Sequence, residues 1–526
     1  MRKLLMTIGA AADLTAKALA AAVAVGALLP FDAQAVATPP PSTLVDLTTN
    51  GSNPSGSVAS SSDYSSTYNA NQYNGTKAFD GVENKKSENR WLAAKADNMW
   101  VIYTFNVATV VDAIRIYLPN YDTDAARAPK DWTFLGSNDK STWNVVLYDT
   151  STQGADTDWT KGGSRYYKFA NTTAYKYYKF NCTANNGDDN CMQVLEIEFY
   201  CVGTDNSKWT GGGTTDLLSD VANWGGTMPG CEYGATINNT GSTPAVVPDG
   251  LTVYRFLYVG SSSGSNAKLV QTNGSVKASE GMIVGNQSNS HGEYTMTGGA
   301  CSFSQIFIGY EQGSSGLYKM TGGTCAATVS SGTAVGMSVG RCGTGTLEIS
   351  GAGTVLTAKD VRVGFTYKGN KGTGTLVVTN GGEIATTQLY AGAGASATNQ
   401  ATVTFNGGKL TATAANAAFL KDFSNIQLEA GGLTINTQGK NIGINNCTFN
   451  VTGNGKITVV GGGTVTFTNV KVNMSAKPSG AYVFAETDGT FSGLPNLGGV
   501  KGCKVSLSDD LKRVTVSPRG LIISVF

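Results

Sequence analysis

Two observations predict an all-β fold with an N-terminal β-sandwich and a C-terminal right-handed parallel β-helix. All seven tryptophans lie at or before Trp224, whereas residues 251–500 hold 44 of the 67 glycines. In this second part, short apolar phrases that end in glycine recur at similar intervals. Such a change of composition marks two architectures, and 526 residues are too many for one hydrophobic core.

The first 35 residues are typical of a secretory signal peptide. Arg2 and Lys3 precede the apolar run ALAAAVAVGALL, and the small residues AQA end at Ala35, after which we predict cleavage. No later stretch reaches the roughly 18 apolar residues that a membrane-spanning helix needs. We therefore expect a protein that is secreted or held on the cell surface, with no transmembrane segment after cleavage and a linker over 36–45.

The mature chain is balanced in charge. Cleavage removes three of the 38 Lys and Arg residues and two of the 37 Asp and Glu residues, which leaves 35 of each sign. This balance disfavours nucleic acid or an anionic membrane as a partner. All nine cysteines remain, so export permits disulfides, and the odd number leaves at least one cysteine unpaired in the monomer. Cys182 and Cys191 bracket a polar turn and form the expected pair.

Residues 46–203 have the pattern of an antiparallel β-sandwich or jelly roll. Short alternating runs separated by polar turns predict its strands, among them WVIYTF, AIRIYL, WTFLGS, YYKFAN, YYKFNC and LEIEFY. Three stretches in this order then resemble discoidin-like domains, also called coagulation-factor type C (F5/8 type C) domains. They are AFDGVENKKSENRW, RAPKDWTFLGSNDKSTWNVV and YYKFNC with MQVLEIEF. The family includes many bacterial carbohydrate-binding modules.

The resemblance implies a structural calcium ion between the early loop and the last strand. Carried over to this chain, its ligands are the carboxylates of Asp80 and Glu196 and the carbonyl groups of Lys77 and Leu195. This oxygen-rich set suits calcium. The loop after the aspartate is longer than is usual in the family, so the middle ligand falls on Ser87 or Asn89. The alternative is an Asp-Gly turn and a surface glutamate with no ion.

The resemblance also places glycan contacts in loops at one end of the sandwich. A sugar site needs flat apolar groups for ring faces and forked polar groups for hydroxyls. One loop, NYDTDAAR, offers Asn120, Tyr121 and Arg127, and a second, NNGDD, offers Asn185 and Asn186. The alternative for each residue is a solvated loop. Three tryptophans, Trp91, Trp132 and Trp143, are expected in or near the core.

The second part is predicted to be a parallel β-helix over 249–500. Apolar pairs followed by glycine end at Gly260, Gly285, Gly309, Gly340, Gly364 and Gly392, with intervals of 25, 24, 31, 24 and 28 residues. Fixed periods of this size indicate a solenoid. Each period holds alternating runs such as GTLEIS, so its elements are strands with glycine at the corners. Cys301 should stack on Cys325, and Met296 on Met320.

The solenoid has predicted segments at both ends. A connector over 204–248 contains WTGGGTTDLLSDVANWGGTMPG, which resembles the segment that precedes the β-helix repeats of bacterial autotransporter passengers, and the repeats themselves share this resemblance. The charged segment 501–526 is expected to form a last hairpin that caps the final coil, because terminal repeats must cover their exposed edge.

These features predict a glycan-binding, adhesin-like protein whose sandwich is displayed on a β-helical stalk. A polysaccharide lyase or hydrolase on the β-helix is the second hypothesis, and a purely structural surface or matrix protein is the third. An enzyme needs clustered carboxylates. The neighbours His291 and Glu293 form no recognisable catalytic set. The eleven acids over 249–500 are scattered along the sequence: Asp249, Glu280, Glu293, Glu311, Glu348, Asp360, Glu383, Asp422, Glu429, Glu486 and Asp488.

Overall fold

A computed structural model confirms the all-β fold class and both architectures. It describes residues 34–36, 46–48, 56–63, 73–83, 89–119, 124–143, 145–203, 207–231, 233–329, 335–367, 369–392, 400–498 and 501–519. The predicted signal peptide and linker lie outside these residues, apart from strand β1 (Gln34–Val36), which pairs antiparallel with Tyr166–Lys168 and spans the predicted cleavage point. Within the described ranges, no helix is long and apolar enough to cross a membrane.

The N-terminal part is a sandwich of antiparallel sheets. A five-stranded sheet in the order β2-β4-β9-β6-β7 faces a four-stranded sheet in the order β1-β8-β5-β11, and β3 pairs with β10 beside them. The elements after β1 are β2 (Ser57–Ser60), a 3-10 turn (Gly75–Phe79), β3 (Trp91–Ala94), β4 (Met99–Thr109), β5 (Ala113–Tyr117), α1 (Asp124–Arg127), β6 (Pro129–Ser137), β7 (Val145–Asp149), α2 (Thr150–Gln153), β8 (Ser164–Lys168), β9 (Tyr175–Asn185), β10 (Cys191–Val194) and β11 (Glu196–Tyr200).

Alternation along the strands builds an aromatic core between the two sheets. In β4, Met99, Val101 and Tyr103 are buried while the residues between them are partly exposed, as expected for a strand with one face on the core. Phe199 of β11 packs edge-on against Tyr103, with ring centroids 5.7 Å apart. Trp91 and Trp132 belong to this core, as predicted.

The predicted disulfide between Cys182 and Cys191 is not formed, and both residues are free thiols. Cys182 lies in the sandwich core, where its Sγ donates to the Ala184 carbonyl group over 3.2 Å. Cys191 lies in a separate small cluster with Tyr73 and Leu92. The two thiols point into different apolar environments, which spacing along the chain could not reveal.

The predicted connector forms the first turn of the solenoid. Strands β12 (Gly234–Ile237) and β13 (Ala245–Val246) pair parallel with β14 (Leu251–Val259) and β15 (Asn266–Gln271) of the next coil. A second 3-10 turn (Val221–Trp224) is capped by the Asp220 carboxylate. It holds Trp224 in the solenoid core, with its indole N–H donating to the Leu218 carbonyl group over 2.8 Å.

The solenoid has three faces. An eleven-stranded parallel sheet forms the first face, and a second sheet bends to form the other two. The long strands of this second sheet pass through the bend, since β16 (Ser275–Val284) pairs with both β18 (Ala300–Phe303) and β19 (Ile306–Ile308) of the next coil. First-face strands from β15 onward are β15 (Asn266–Gln271), β17 (His291–Met296), β20 (Ser315–Met320), β23 (Thr344–Ser350), β27 (Thr373–Thr379), β29 (Ala401–Asn406), β32 (Ile426–Leu428), β35 (Thr448–Val451), β38 (Lys471–Met474) and β41 (Asn496–Gly498).

The second and third faces share the other sheet, and a small hairpin, β25 (Thr366–Tyr367) with β26 (Asn370–Lys371), lies beside them. The strands after β12 are β14 (Leu251–Val259), β16 (Ser275–Val284), β18 (Ala300–Phe303), β19 (Ile306–Ile308), β21 (Thr324–Ala327), β22 (Met337–Val339), β24 (Val355–Val363), β28 (Glu383–Ala391), β30 (Gly408–Ala412), β31 (Asn416–Lys421), β33 (Leu433–Asn436), β34 (Ile442–Asn445), β36 (Ile457–Val460), β37 (Thr464–Thr468), β39 (Tyr482–Thr487), β40 (Thr490–Ser492), β42 (Cys503–Leu507) and β43 (Arg513–Pro518).

The predicted stacking of side chains on adjacent coils and the predicted C-terminal hairpin are confirmed. Cys301 is in register with Cys325, and Met296 with Met320. At the far end, β42 and β43 form an antiparallel hairpin, and β43 also pairs antiparallel with β39. Antiparallel pairing there ends the parallel stack.

The solenoid docks on the end of the sandwich that carries the turn after β4. The amide of Cys231 donates to the Cys201 carbonyl group over 2.8 Å, and Val253 of β14 belongs to the sandwich core. The Asp112 carboxylate accepts the amides of Val202 and Gly203 at 2.6 and 2.8 Å. Burial raises the pKa of Asp112 to about 6, although these two hydrogen bonds and the charge of Lys168 act in the opposite direction.

Candidate functional site

Three loops meet at the end of the sandwich opposite the solenoid. Residue Met99 at the start of β4 lies beside Cys182 of β9, and Pro129 at the start of β6 lies beside Asn185 at the end of β9. The turns that adjoin these strand ends, 95–98, 124–128 and 186–190, are therefore neighbours. We call them the distal loops.

Arg127 forms an ion pair with Asp188 within the distal loops. Its Nε donates to Asp188 Oδ2 over 3.0 Å, and both side chains are largely shielded from solvent. Burial alone would raise the pKa of Asp188, but the amides of Asn190 and Cys191 and the Arg127 guanidinium lower it below its usual value. Asp188 therefore stays ionised and fixes Arg127 at the edge of the surface.

Asn185 and Asn186 hold the distal loops together. The Asn185 amide donates to the carbonyl groups of Asp188 and Cys191 at 2.8 and 2.7 Å, and the residue is buried. The Asn186 amide donates to the Asp156 carbonyl group over 2.8 Å. Their donor groups are used by the backbone, so they shape the loop. The other predicted contacts, Asn120 and Tyr121, lie outside the described residues.

Two groups near these predicted residues were missed by the sequence reasoning. Lys95 donates to the Asp188 carbonyl group over 2.9 Å, beside the almost fully exposed Asp189. On the outer face of the five-stranded sheet, the Lys179 ammonium lies 5.7 and 5.4 Å from the ring centroids of Trp100 and Trp143. Trp143 is only half-buried and belongs to none of the core clusters, so its expected place in or near the core is wrong. The alternation of buried and exposed positions along WVIYTF is visible in the sequence and could have predicted that Trp100 faces outward.

The predicted calcium residues Asp80 and Glu196 are brought together across 115 residues of chain. The amide of Gly81, next to Asp80, donates to Glu196 Oε1 over 3.1 Å. Glu196 is fully buried, and its Oε2 has no hydrogen-bond partner. Burial raises the pKa of Glu196 to about 10, and the charges of Asp46 and Asp80 add to the effect. A buried carboxylate oxygen without a partner and close to other acids is costly to ionise unless a positive charge lies beside it.

The other parts of the predicted site agree less closely. The Lys77 ammonium lies 3.3 Å from Asp80 Oδ2, and the Asn89 amide donates to the same oxygen. Leu195 is buried at the junction of β10 and β11. Ser87 lies outside the described residues. Among the described residues, no group of three or more His, Cys, Asp and Glu side chains is arranged to hold a metal ion. The residues fit calcium only as a set of two carboxylates completed by backbone carbonyl groups.

Several acids on the solenoid form ion pairs between coils. Glu293 pairs with Lys268 and Glu348 with Lys319, each at 3.2 Å. The lone His291 meets Ser315 Oγ through Nδ1 at 2.9 Å. None of these contacts assembles the pair of free carboxylates that glycoside hydrolysis uses.

Comparison with protein-family models agrees with the sandwich architecture. Residues 57–197 match the family model of the F5/8 type C domain. A chitosan-binding module of a Paenibacillus chitosanase/glucanase is 22% identical and covers 30% of this chain and 99% of its own, with a TM-score of 0.23. A Clostridium perfringens module, CpGH89CBM32-6, is 17% identical over 30% of this chain and 98% of its own, with a TM-score of 0.21. The lectin domain of lectinolysin complexed with Lewis B antigen is 16% identical over 28% and 92%, with a TM-score of 0.22. A search of curated proteins finds no match.

Proposed function

We propose that the chain is a secreted or cell-surface, adhesin-like protein that binds a glycan through the distal loops of its F5/8 type C domain. The observation that carries this proposal is the position of the solenoid on the opposite end of the sandwich. The distal loops are thereby left clear of the stalk. The family match supports carbohydrate as the ligand class.

Within this site the residues take different roles. Asn185 and Asn186 position the loop backbone, and Arg127 is held by Asp188 at its edge. Asn120 and Tyr121, which lie just before the 124–128 loop in the sequence, are proposed to contact the sugar directly. An aromatic ring supplies a flat apolar surface for a sugar ring, and an amide supplies paired hydrogen bonds for hydroxyl groups.

We also propose a structural calcium ion between Asp80 and Glu196, completed by the carbonyl groups of Lys77 and Leu195. The ion would supply positive charge beside the partnerless Glu196 oxygen. Glu196 is the first residue of β11, and its Oε1 accepts the amide of Gly81, so this site joins the early loop to the last strand of the sandwich.

The test is a glycan array with the full chain, followed by titration of the best ligand. Tyr121→Ala and Asn120→Ala should each weaken binding about tenfold or more, the equivalent of about 1.4 kcal/mol. Tyr177→Ala is the matched control, because this ring lies on the sheet face beside Lys140 and Lys176. The control should bind normally.

Three results would contradict parts of the proposal. A folded protein that binds no glycan would favour the purely structural hypothesis. Normal binding by Tyr121→Ala and Asn120→Ala would move the site away from the distal loops. New reducing ends or unsaturated products from the bound polysaccharide would show that the chain also cleaves it.

A further inference from the structure

The partly exposed aromatic residues of the solenoid are concentrated on one face. Among the described residues of 251–498, eight aromatic side chains are not buried, and seven lie on the third face or on the corner after it: Phe256, Tyr258, Phe307, Tyr310, Phe365, Tyr367 and Tyr390. The eighth, Tyr482, lies in β39 near the far end. Elsewhere the outward residues are mainly Thr, Ser, Asn, Lys and Glu. Such a concentration is not expected of a surface that serves only to be soluble.

Three of these residues lie in one row along the solenoid axis. In register from coil to coil, the row runs through Tyr258, Ile283, Phe307, Ser338, Arg362 and Tyr390. Ile283 and Ser338 are buried, and the other four side chains are partly exposed. Strands in a sheet are about 4.8 Å apart, so six rungs extend over about 24 Å. We call this row and the corner residues beside it the aromatic strip.

Two arginines lie within the aromatic strip against its rings. The Arg341 guanidinium is 4.2 Å from the ring centroid of Tyr310 and 4.1 Å from that of Tyr367. The Arg362 guanidinium is 3.7 Å from the ring centroid of Phe365. Cation–π contacts of this kind hold the planar groups in place and leave their edges available for hydrogen bonds.

Neither arginine has an ion pair with any described residue, and Arg362 Nε is buried without a hydrogen-bond partner. Asp360 lies two residues before Arg362 and its charge acts on that guanidinium, but its carboxylate accepts the Gly336 amide over 2.7 Å and forms no ion pair with Arg362. Lysines on the other faces differ, since Lys319 pairs with Glu348 and Lys409 with Glu383. The aromatic strip therefore combines flat rings with guanidinium groups that have no ion pair among the described residues.

We propose that the aromatic strip binds an acidic polysaccharide along the solenoid axis. The rings stack on sugar rings, and Arg341 and Arg362 bind carboxylate or sulfate groups on the chain. Guanidinium groups recognise such anions through paired, charge-assisted hydrogen bonds. This site is independent of the distal loops and would let one chain hold a glycan at two places.

The balance of charge decides against nucleic acid as the ligand. Aromatic rings and arginines also bind single strands, but such sites follow the backbone with a long positive groove. Here the described strip has two arginines over six rungs, and the whole chain has a net charge of only +1. An acidic glycan with spaced charges matches this surface better than a strand with a charge on every unit.

The experiment measures binding of the full chain to polygalacturonate, chondroitin sulfate, neutral dextran and an oligothymidylate by affinity electrophoresis and calorimetry. We expect binding to at least one acidic glycan that weakens at higher salt. The double variant Arg341→Ala with Arg362→Ala should weaken it at least tenfold. Lys319→Ala, which removes a paired outward cation from another face, is the control and should bind normally.

Separate readouts distinguish this proposal from the sandwich site. Tyr121→Ala should leave binding to the acidic glycan unchanged, and the arginine double variant should leave the glycan-array ligand unchanged. If the alanine variant fails to fold by circular dichroism, Arg341→Gln with Arg362→Gln takes its place. The proposal is overturned if the wild type binds neither acidic glycan, if dextran or oligothymidylate binds as tightly, or if the folded arginine variant binds normally.

Discussion

Replacing Gly316 by alanine tests the close packing of the coils. Gly316 belongs to a column of stacked glycines with Gly292, Gly345 and Gly374, one in each successive coil. A Cβ atom at Gly316 would lie 2.2 Å from the carbonyl oxygen of Val284, a distance that real side chains do not reach. The backbone of one coil must move for the substitution to be accommodated.

The cost follows from the contact that must break. The Val284 carbonyl group accepts the amide of Gly309 over 2.9 Å, so its displacement leaves a buried amide unsatisfied. An unsatisfied amide costs about 1–3 kcal/mol, and overpacking adds about 1–3 kcal/mol. We therefore expect Gly316→Ala to destabilise its coil by about 2–6 kcal/mol, a large effect for one methyl group.

Two other glycines provide graded controls. Gly353 has φ +84° and no neighbour within 4 Å of a Cβ atom, so Gly353→Ala should cost only the about 1–2 kcal/mol of left-handed backbone strain. Gly480 has open space and no such φ, so Gly480→Ala should be neutral or stabilise slightly.

Hydrogen–deuterium exchange is the assay, because it reports opening coil by coil. Peptides around Gly316 should exchange about 100-fold faster in Gly316→Ala, which corresponds to about 3 kcal/mol. Sandwich peptides should not change. Equal exchange in Gly316→Ala and Gly480→Ala would refute the predicted backbone collision and the coil spacing on which it rests.

Two further predictions concern the sandwich. Calcium at 100 times its Kd should stabilise the sandwich by about 2.7 kcal/mol and raise its Tm by about 5–10 °C. Glu196→Gln should abolish this response. If the Tm of the wild type does not change with calcium, the ion is excluded. Because the pKa of Asp112 is raised from 3.8 to about 6, its contribution to stability is complete below pH 3.8 and is lost as the pH rises through 6, by about 3 kcal/mol. Calorimetric scans at several pH values should show this loss, and Asp112→Asn should remove it; an unchanged slope would contradict the assignment.

Local patterns were sufficient to predict the solenoid. Corner glycines such as Gly285 and Gly309 have positive φ and recur with the coil, so their spacing is visible in the sequence. The second glycine column, at Gly292 and Gly316, was missed, because its requirement for glycine comes from a carbonyl group of the preceding coil. The right-handed winding of the β-helix and its relationship to autotransporter passengers stay predictions.

Side-chain roles at the sandwich were harder to predict, since they depend on partners distant in sequence. Family motifs predicted that Asp80 and Glu196 share a calcium site, which stays a prediction, but no motif indicated that the charge of Asp46 also acts on Glu196. Asn185 looked like a free ligand group, yet its amide binds the backbone of its own turn. The aromatic strip was missed because Tyr310 and Arg341 are 31 residues apart, at one of the uneven intervals.

The carboxylates of the solenoid bear on whether the chain cleaves what it binds. Glu293 and Glu348 lie directly in register with Lys268 and Lys319. Glu383 is likewise in register with Lys409. Burial tends to raise the pKa of Glu383, but hydrogen bonds from Lys409 and Thr411 and the lysine charge lower it overall. A general acid must hold its proton near neutral pH, so a carboxylate stabilised in its ionised form is poorly suited to that role. These pairs are better explained as cross-strand ion pairs between coils, and any cleavage would have to use other carboxylates.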